Sequence, residues 1–385
     1  MPDGANLKAE IAGSISQIPA SDWDACAGSD NPFLSHAFFL ALEETGCTTA
    51  DTGWRPYHLI IRKDCGTLAA IMPLFLKGHS YGEYVFDHGW ADAYERAGGR
   101  YYPKLQSAVP FTPVTGSRLL VRAGEDRSAL ERALLSTAKK ITSELGTSSL
   151  HLTFLPEAQT GAARDAGYLI RTDQQFHWHN RGYSSFEDFL SALSSRKRKQ
   201  IRKERRRVEE QGINFRLLTG AEIREQDWDS FFEFYMDTGR RKWGSPYLNR
   251  TFFTRVGELM ADRILLLMCE HQGEAVAGTL NFIGADTLYG RYWGCLESFD
   301  SLHFEACYYQ AIDYAIAHNM AHVEAGAQGE HKLARGYEPQ KTYSAHWIEN
   351  EGFRDAVARY LEHERREVDA HVDILGDHTP FKKDA

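Results

Sequence analysis

Residues 57–75, YHLIIRKDCGTLAAIMPLF, lie over residues 265–283, LLLMCEHQGEAVAGTLNFI, at an offset of 208, apolar run on apolar run and turn on turn. The correspondence extends both ways. Upstream, Asp22-Trp23-Asp24 recurs as Asp227-Trp228-Asp229, and Pro32–Phe39 (PFLSHAFF) recurs as Pro246–Phe253 (PYLNRTFF). Downstream, Tyr81–Tyr84 falls over Tyr289–Tyr292 without a gap, and Gly167-Tyr168 with His177-Trp178 matches Gly336-Tyr337 with His346-Trp347 at an offset of 169. Matches in one order, with length changes only between them, mark an internal duplication. The fall in offset from 208 to 169 gives the first copy about 39 extra residues somewhere after Tyr84. The chain is therefore expected to divide into a first domain at 1–182, a connecting segment at 183–212 and a second domain at 213–385.

The second copy shows the elements most clearly. Period-2 and β-branched runs predict strands at Ile213–Leu218, Ile264–Cys269, Ala275–Ile283, Thr287–Cys295, His322–Ala325 and Thr342–Ile348, with a hairpin turn at Gln272-Gly273. Helical spacing predicts helices at Asp227–Thr238, Asn249–Met260, His303–His318 and Glu330–Arg335, and a terminal amphipathic helix carrying Phe353, Val357, Tyr360, Leu361, Val368 and Leu375. Ser35 and Asn249 hold equivalent N-cap positions, as two copies of one helix start should. The order is mixed α and β. In the connector, Ser184-x-x-Glu187 reads as a capping box, and Phe186, Leu190, Leu193, Ile201 and Val208 keep one apolar stripe on a single helix.

Composition bounds the class. With 385 residues, 43% apolar and 25% charged, the chain is an ordinary globular one, long enough for two domains. No apolar run approaches the roughly eighteen residues of a membrane span, and Met1-Pro2-Asp3-Gly4 lacks the layout of a secretion signal, so a cytoplasmic protein is expected. Cys26, Cys47, Cys65, Cys269, Cys295 and Cys307 show no CxxC and no paired spacing, so free buried thiols are expected rather than a disulfide framework or zinc ribbon. The net charge of −9 hides a segment of opposite sign. Residues 196–207, RKRKQIRKERRR, hold nine basic residues and one acidic, which is +8 and leaves −17 on the other 373. Twelve helical residues span about 18 Å, and charge at that density is relieved by an anionic partner or stays a solvated face.

The order of elements, with Tyr81–Leu120, the basic Ser194–Arg207 and His303–Trp347, resembles the FemAB-like family of N-acyltransferases of peptidoglycan biosynthesis or recognition, within the GNAT superfamily. The resemblance covers essentially the whole chain. It implies an α+β fold of two tandem GNAT-like domains joined by the basic helix, and transfer of an acyl or aminoacyl group from an activated donor to an amine, such as a nucleotide-linked cell-wall precursor or a small amine. Acyl-CoA and aminoacyl-tRNA are the donors it brings into view. Acyl-CoA users in the superfamily cradle the donor diphosphate on a glycine-rich loop at a helix N-terminus. Here that place reads Leu296-Glu297-Ser298-Phe299-Asp300-Ser301-Leu302, with no glycine and two carboxylates, and the first copy offers only Thr115-Gly116-Ser117-Arg118 with Arg122 and Gly124. No clear diphosphate loop is legible, which keeps aminoacyl-tRNA in play.

Amide formation needs an amine made neutral, donors for the oxyanion and a proton for the leaving group. Glu305 and Tyr309, four apart on one helix, are candidates for base and proton donor, against the plainer reading of a surface Glu over a core Tyr. The stretch from Glu324 through Gly326-Ala327-Gln328-Gly329-Glu330-His331-Lys332 to Arg335 is the densest polar cluster. There His331 or Glu324 would take the amine proton, and Lys332 with Arg335 would hold an anion. Arg291 and Tyr292 either line a substrate cleft or belong to the sheet. Arg196, Lys197, Lys199 and Arg202 are the candidates for gripping the anionic donor or acceptor. His177 and His179 point to one face of a strand as metal ligands would, but no third ligand is identifiable and Ile348 replaces His179 in the repeat, so no metal is expected. The absent glycine loop also leaves a second reading, a non-catalytic protein that recognises an anionic envelope precursor or RNA.

Overall fold

The computed structural model describes residues 7–242, 246–326 and 329–382. In chain order the strands are β1 (Leu7–Ala12), β2 (Trp54–Pro56), β3 (His58–Lys63), β4 (Leu68–Met72), β5 (Phe75–Lys77), β6 (Lys104–Ser107), β7 (Leu120–Val121), β8 (Ser149–Leu155), β9 (Leu169–His179), β10 (Ile213–Thr219), β11 (Ile264–His271), β12 (Glu274–Ile283), β13 (Thr287–Cys295), β14 (His322–Glu324) and β15 (Glu338–Ile348). The helices are α1 (Ala20–Ala27), α2 (His36–Glu44), α3 (His88–Arg96), α4 (Arg127–Leu145), α5 (Glu157–Asp165), α6 (Phe186–Ala192), α7 (Ser195–Glu210), α8 (Glu225–Lys242) and α9 (Arg250–Leu259). Then come α10, which joins Leu302–Phe304, a π-helical turn Glu305–Tyr309 and Gln310–Ala317, and α11 (Glu351–Asp377).

Two compact units form, but not as consecutive blocks: Met1–Asp173 with Lys341–Ala370, and Gln174–Gln340 with His371–Ala385. The boundaries expected at 182 and 213 therefore do not describe the packing. The last strand of each copy is exchanged. In the second unit the end of β9 lies antiparallel on β14, His177 opposite Glu324 and His179 opposite His322. In the first unit the end of β15 lies antiparallel on β8, His346 opposite His151 and Ile348 opposite Ser149. A strand finds its partner through backbone hydrogen bonds that any sequence can make, so local pattern carries no sign of which copy's sheet it will complete.

The duplication is visible in the strand order. An antiparallel meander β1-β3-β4-β7 in the first unit answers β10-β11-β12-β13 in the second. Ser35 and Asn249 cap their helices as expected, accepting from the N–H groups of Phe38 and Phe252. At the β11–β12 hairpin, Gln272 and Gly273 both take positive φ, 52° and 86°, the conformation that suits a two-residue turn to the twist of its strands. One equivalence fails. Tyr81–Tyr84 is a turn, with Gly82 and Tyr84 at φ 80° and 61°, and the strand beside β4 in the place of β13 is β7, which pairs Val121 with Ala70. The extra residues of the first copy thus lie between β4 and β7, and the tyrosine match across the copies reflects composition, not position.

The cores follow the amphipathic stripes. In the first unit Leu59, Ile61, Ala70 and Met72 of the sheet are covered by Leu130, Leu134, Leu135 and Ala138 of α4. In the second, Leu265, Leu288, Val323 and Trp178 are covered by Tyr309, Ile312, Ala315 and Ile316 of α10. The connector is two helices rather than one, because Leu193 bridges to Phe381 and breaks the run. Its cap is Ser185, which accepts from Asp188 N, one residue beyond the expected box. All six thiols are free; Cys26, Cys47 and Cys269 are buried, while Cys65 is exposed, contrary to expectation. Among the described residues no helix is long and apolar enough to cross a membrane.

Helix α11 lays Val357 and Leu361 against Trp90, Ala91 and Tyr101 of the first unit. Leu361 is fully buried there. Leu361→Ala should lower unfolding stability by about 2–5 kcal/mol in a urea titration, whereas Tyr360→Ala on the exposed side of the same turn should change it by less than about 0.5 kcal/mol.

Candidate active site

The second unit gathers its chemistry where β13 and β14 part. These strands run parallel for only three pairs, Thr287–Tyr289 against His322–Glu324. Immediately beyond, the β12–β13 register slips, so that Leu280 faces Tyr292 while Asn281 faces Gly290, and Arg291 is the extra residue of a β-bulge. A bulge re-aims the side chain it carries. The buried Arg291 guanidinium reaches Glu324, with Nη2 2.5 Å from Oε2, and donates from Nη1 to the Glu324 carbonyl at 3.3 Å. His177 of β9 stands opposite, its Nε2 3.9 Å from Glu324 Oε1, and burial holds its imidazole neutral, with a pKa of about 4.

Lys332 enters from the short 3-10 helix Glu330–Arg335. Its side chain is almost wholly buried and donates to the Gly326 carbonyl at 2.9 Å. It has no carboxylate partner among the described residues. Burial first, and then the Arg291 charge, push its pKa down to about 7.

A second group of ionic contacts is organised by the π-helical turn. There Gln310 N–H donates to the Glu305 carbonyl, five residues back, so positions four apart no longer stack. This separates the predicted Glu305 and Tyr309 pair. Glu305 Oε1 accepts from Arg205 at 3.0 Å and Gln310 at 2.8 Å, while Oε2 is buried with no partner. Burial raises its pKa, against the pull of Arg205. The Tyr309 hydroxyl instead donates to Glu204 of α7. Glu204 also accepts from Arg335 Nη2 at 3.1 Å on both oxygens, and the Arg335 guanidinium lies 3.4 Å from the centre of the Phe304 ring. Tyr308, next to Tyr309, hydrogen-bonds His331 Nε2 at 2.8 Å.

The predicted residues therefore separate. Arg291 and Glu324 come together, and Lys332 lies near enough to feel the Arg291 charge. Arg335 does not join Lys332 on one anion, because Glu204 neutralises it; His331 is exposed and engages Tyr308, away from Glu324. Tyr292 belongs to an aromatic core with Tyr235 and Phe253, not to a cleft. On α7, Arg196, Lys199 and Arg202 are exposed, Lys197 is half-buried, and Arg202 is tied to Glu187. Ala327 and Gln328 lie outside the described residues. Glu204 and Arg205 were missed: read as part of a charge run, they occupy the inward face with Ile201 and Val208, a position their spacing from those residues does disclose. His177 and His179 take separate partners, the latter His322 Nδ1 at 2.9 Å.

The loop at 296–301 does not fit a diphosphate cradle. Ser301, at φ 68°, precedes the helix, and its carbonyl already accepts the N–H groups of Phe304 and Glu305. The Asp300 carbonyl and N–H are taken by Gln211, and its carboxylate pairs with Arg207 at 2.9 Å. The stretch also carries two carboxylates, Glu297 and Asp300, and no glycine.

The fold is that of two tandem GNAT-like domains. A family model of FemAB-like proteins, described as peptidoglycan biosynthesis/recognition, matches residues 14–383, and the chain belongs to that family. Among solved structures it is similar to FemX, with a TM-score of 0.56 and 11% identity over 91% of this chain and 100% of that one. It is also similar to L-PGS from Bacillus licheniformis, with a TM-score of 0.51 and 11% identity over 86% and 98%. The C-terminal domain of a putative lysylphosphatidylglycerol synthetase from Agrobacterium fabrum gives a TM-score of 0.53 and 8% identity over 88% and 95%. At these identities the likeness is one of fold. No curated protein matches the sequence.

Glu204 is the test of the ionic group. Glu204→Ala leaves the Arg335 charge and the Tyr309 hydroxyl buried and unanswered, and should cost about 3–5 kcal/mol in chemical denaturation. Arg196→Ala, at an exposed position, should stay within about 0.5 kcal/mol.

Proposed function

We propose that the second unit is an N-acyltransferase centre that moves an acyl or aminoacyl group from an activated ester to an amine, with the amine of a cell-wall precursor as the acceptor in keeping with the family's description. The observation that carries this reading is Lys332, a buried amine poised near half-protonation beside the Arg291–Glu324 pair at the bulge. A group in that state suits proton transfer at neutral pH. The acceptor nitrogen attacks the acyl carbon and neutral Lys332 takes the proton that the nitrogen must lose. The tetrahedral intermediate then collapses, the carbon–oxygen bond to the carrier breaks, and the Lys332 ammonium returns the proton to the departing oxygen. Arg291 orients Glu324, and its charge keeps Lys332 from holding its proton too tightly.

Aminoacyl-tRNA is the favoured donor over acyl-CoA, because the 296–301 stretch has no glycine, carries the carboxylates Glu297 and Asp300, and has its Asp300 amide already bonded to Gln211. The exposed cations of α7 suit the same donor. Arg196, Lys197 and Lys199 make no ion pair among the described residues, and binding through them would weaken steeply with salt. The same loop also favours a second reading, a recognition protein that binds an anionic precursor or RNA without turnover.

The two readings part in one assay: purified protein with charged tRNAs and acyl-CoAs side by side, acceptors read by mass spectrometry. Transfer is expected from the tRNA ester. Lys332→Met should reduce kcat by about 10²–10⁴-fold with donor affinity unchanged. Because neutral Lys332 is the working form, the wild-type rate should rise with pH through about 7 and level off above it. Donor binding without product at any pH would establish the recognition reading instead.

A further inference from the structure

Strand β1, with the sequence LKAEIA, ends the meander sheet of the first unit. It pairs β3 on one side, and among the described residues no strand pairs its other side. An open edge offers alternate backbone N–H and C=O groups to any chain that can lie along it, and folded proteins ordinarily blunt such an edge with a bulge, a proline or a covering segment. Here the run from Leu7 to Ala12 stays in register with His58–Lys63 at every position, without a bulge, and it contains no proline. Leu7, Lys8, Ala9 and Ile11 are all exposed.

The side chains of this edge divide by face. Ala9 and Ile11 lie opposite Ile61 and Leu59, so together with Leu7 they stand on the sheet face whose core is closed by Leu130 and Leu134 of α4. Leu59 and Ile61 are buried there, yet Leu7 is 45% and Ile11 37% exposed, so the apolar face runs on past its cover. Lys8 and Glu10 point to the other face. Lys8 Nζ lies 2.7 Å from Glu10 Oε1, and Arg62 Nε of β3 lies 3.5 Å from Glu10 Oε2.

The order of these residues selects what covers them. Backbone groups point outward from every second residue only, so two identical strands that meet antiparallel are related by a two-fold axis on one residue, which faces its own copy. Centred on Ala9, that register sets Lys8 opposite the second copy's Glu10 and Leu7 opposite the second copy's Ile11, each of them twice. Moving the axis by one residue sets Lys8 against Lys8 or Glu10 against Glu10, which like-charge repulsion opposes. Strand β10 is the corresponding edge in the second unit, and its one charged residue is Arg216, so no pairing of β10 with itself answers a charge. We propose that this chain associates with a second copy of itself through β1, antiparallel about Ala9, joining two four-stranded sheets into one. Lys8 and Glu10 of the two copies then form a ring of alternating sign, and the paired Leu7 and Ile11 side chains continue the core of each sheet across the axis. The contact is isologous and therefore closes at a dimer. It is built from the first unit and does not depend on the transfer reaction of the second.

The test is sedimentation velocity of the full-length protein from micromolar to near-millimolar concentration. Wild type should show a reversible equilibrium between monomer and dimer. Lys8→Glu and Glu10→Lys, each alone, set like charges opposite one another and should weaken association about tenfold or more. An equimolar mixture of the two single variants should recover it, because each acid then faces a lysine, and so should the double variant Lys8→Glu/Glu10→Lys. In wild type the backbone amides of residues 8–11 should also exchange hydrogen more slowly at high than at low protein concentration, a readout that needs no variant. Monomer at every concentration, a dimer that either single variant keeps, or a mixture that fails to recover overturns the proposal. Growth beyond a dimer overturns it in favour of a head-to-tail contact between unlike edges.

Discussion

Both units depend on a strand that arrives from elsewhere in the sequence to close a sheet. In the second unit, β9 must reach β14 before His177 can stand opposite Glu324, the carboxylate that Arg291 grips. In the first, β15 must reach β8 before His346 stands opposite His151. The same row of the sheet therefore carries an ionisable pair in each unit, His177 with Glu324 in one and His346 with His151 in the other. Duplication kept the place and changed the chemistry. One row keeps an arginine on its carboxylate, while the other is covered by Trp90, Tyr101 and Asp87 from the inserted segment.

Low dielectric makes both arrangements consequential. A lysine removed from water loses its proton far more readily, and a neighbouring guanidinium moves it further the same way, which is why Lys332 is set near neutrality without any exotic contact. Where a carboxylate answers the cation directly, as Glu204 answers Arg335 and Asp87 answers Lys104, the outcome is a fixed brace.

Much of the fold was legible. The duplication, the N-caps Ser35 and Asn249, the Gln272-Gly273 hairpin and the meander of strands all rest on local rules, namely apolar period, capping chemistry and turn conformation. The candidate site was legible in part. Glu324, Lys332 and Arg291 were singled out, whereas Tyr292, open between a cleft and the sheet, packs in the aromatic core, and the bulge that parts it from Arg291 is nothing alternation shows. Glu305 and Tyr309 were placed together on the assumption of a regular helix, and the π-helical turn separates them. Glu204 was hidden by its neighbours, one acid among nine basic residues, although its register with Ile201 and Val208 puts it inside.

By itself the sequence determined the unit of construction, its use twice, the character of nearly every element and the isolation of positive charge on one connecting stretch. These follow from spacing, which a chain carries in one dimension. Only the tertiary structure decided which strand completes which sheet and which of the clustered charges are answered by an opposite charge. Those outcomes turn on pairing and desolvation between residues far apart in the chain, 195 positions for His151 and His346, and no local pattern encodes them.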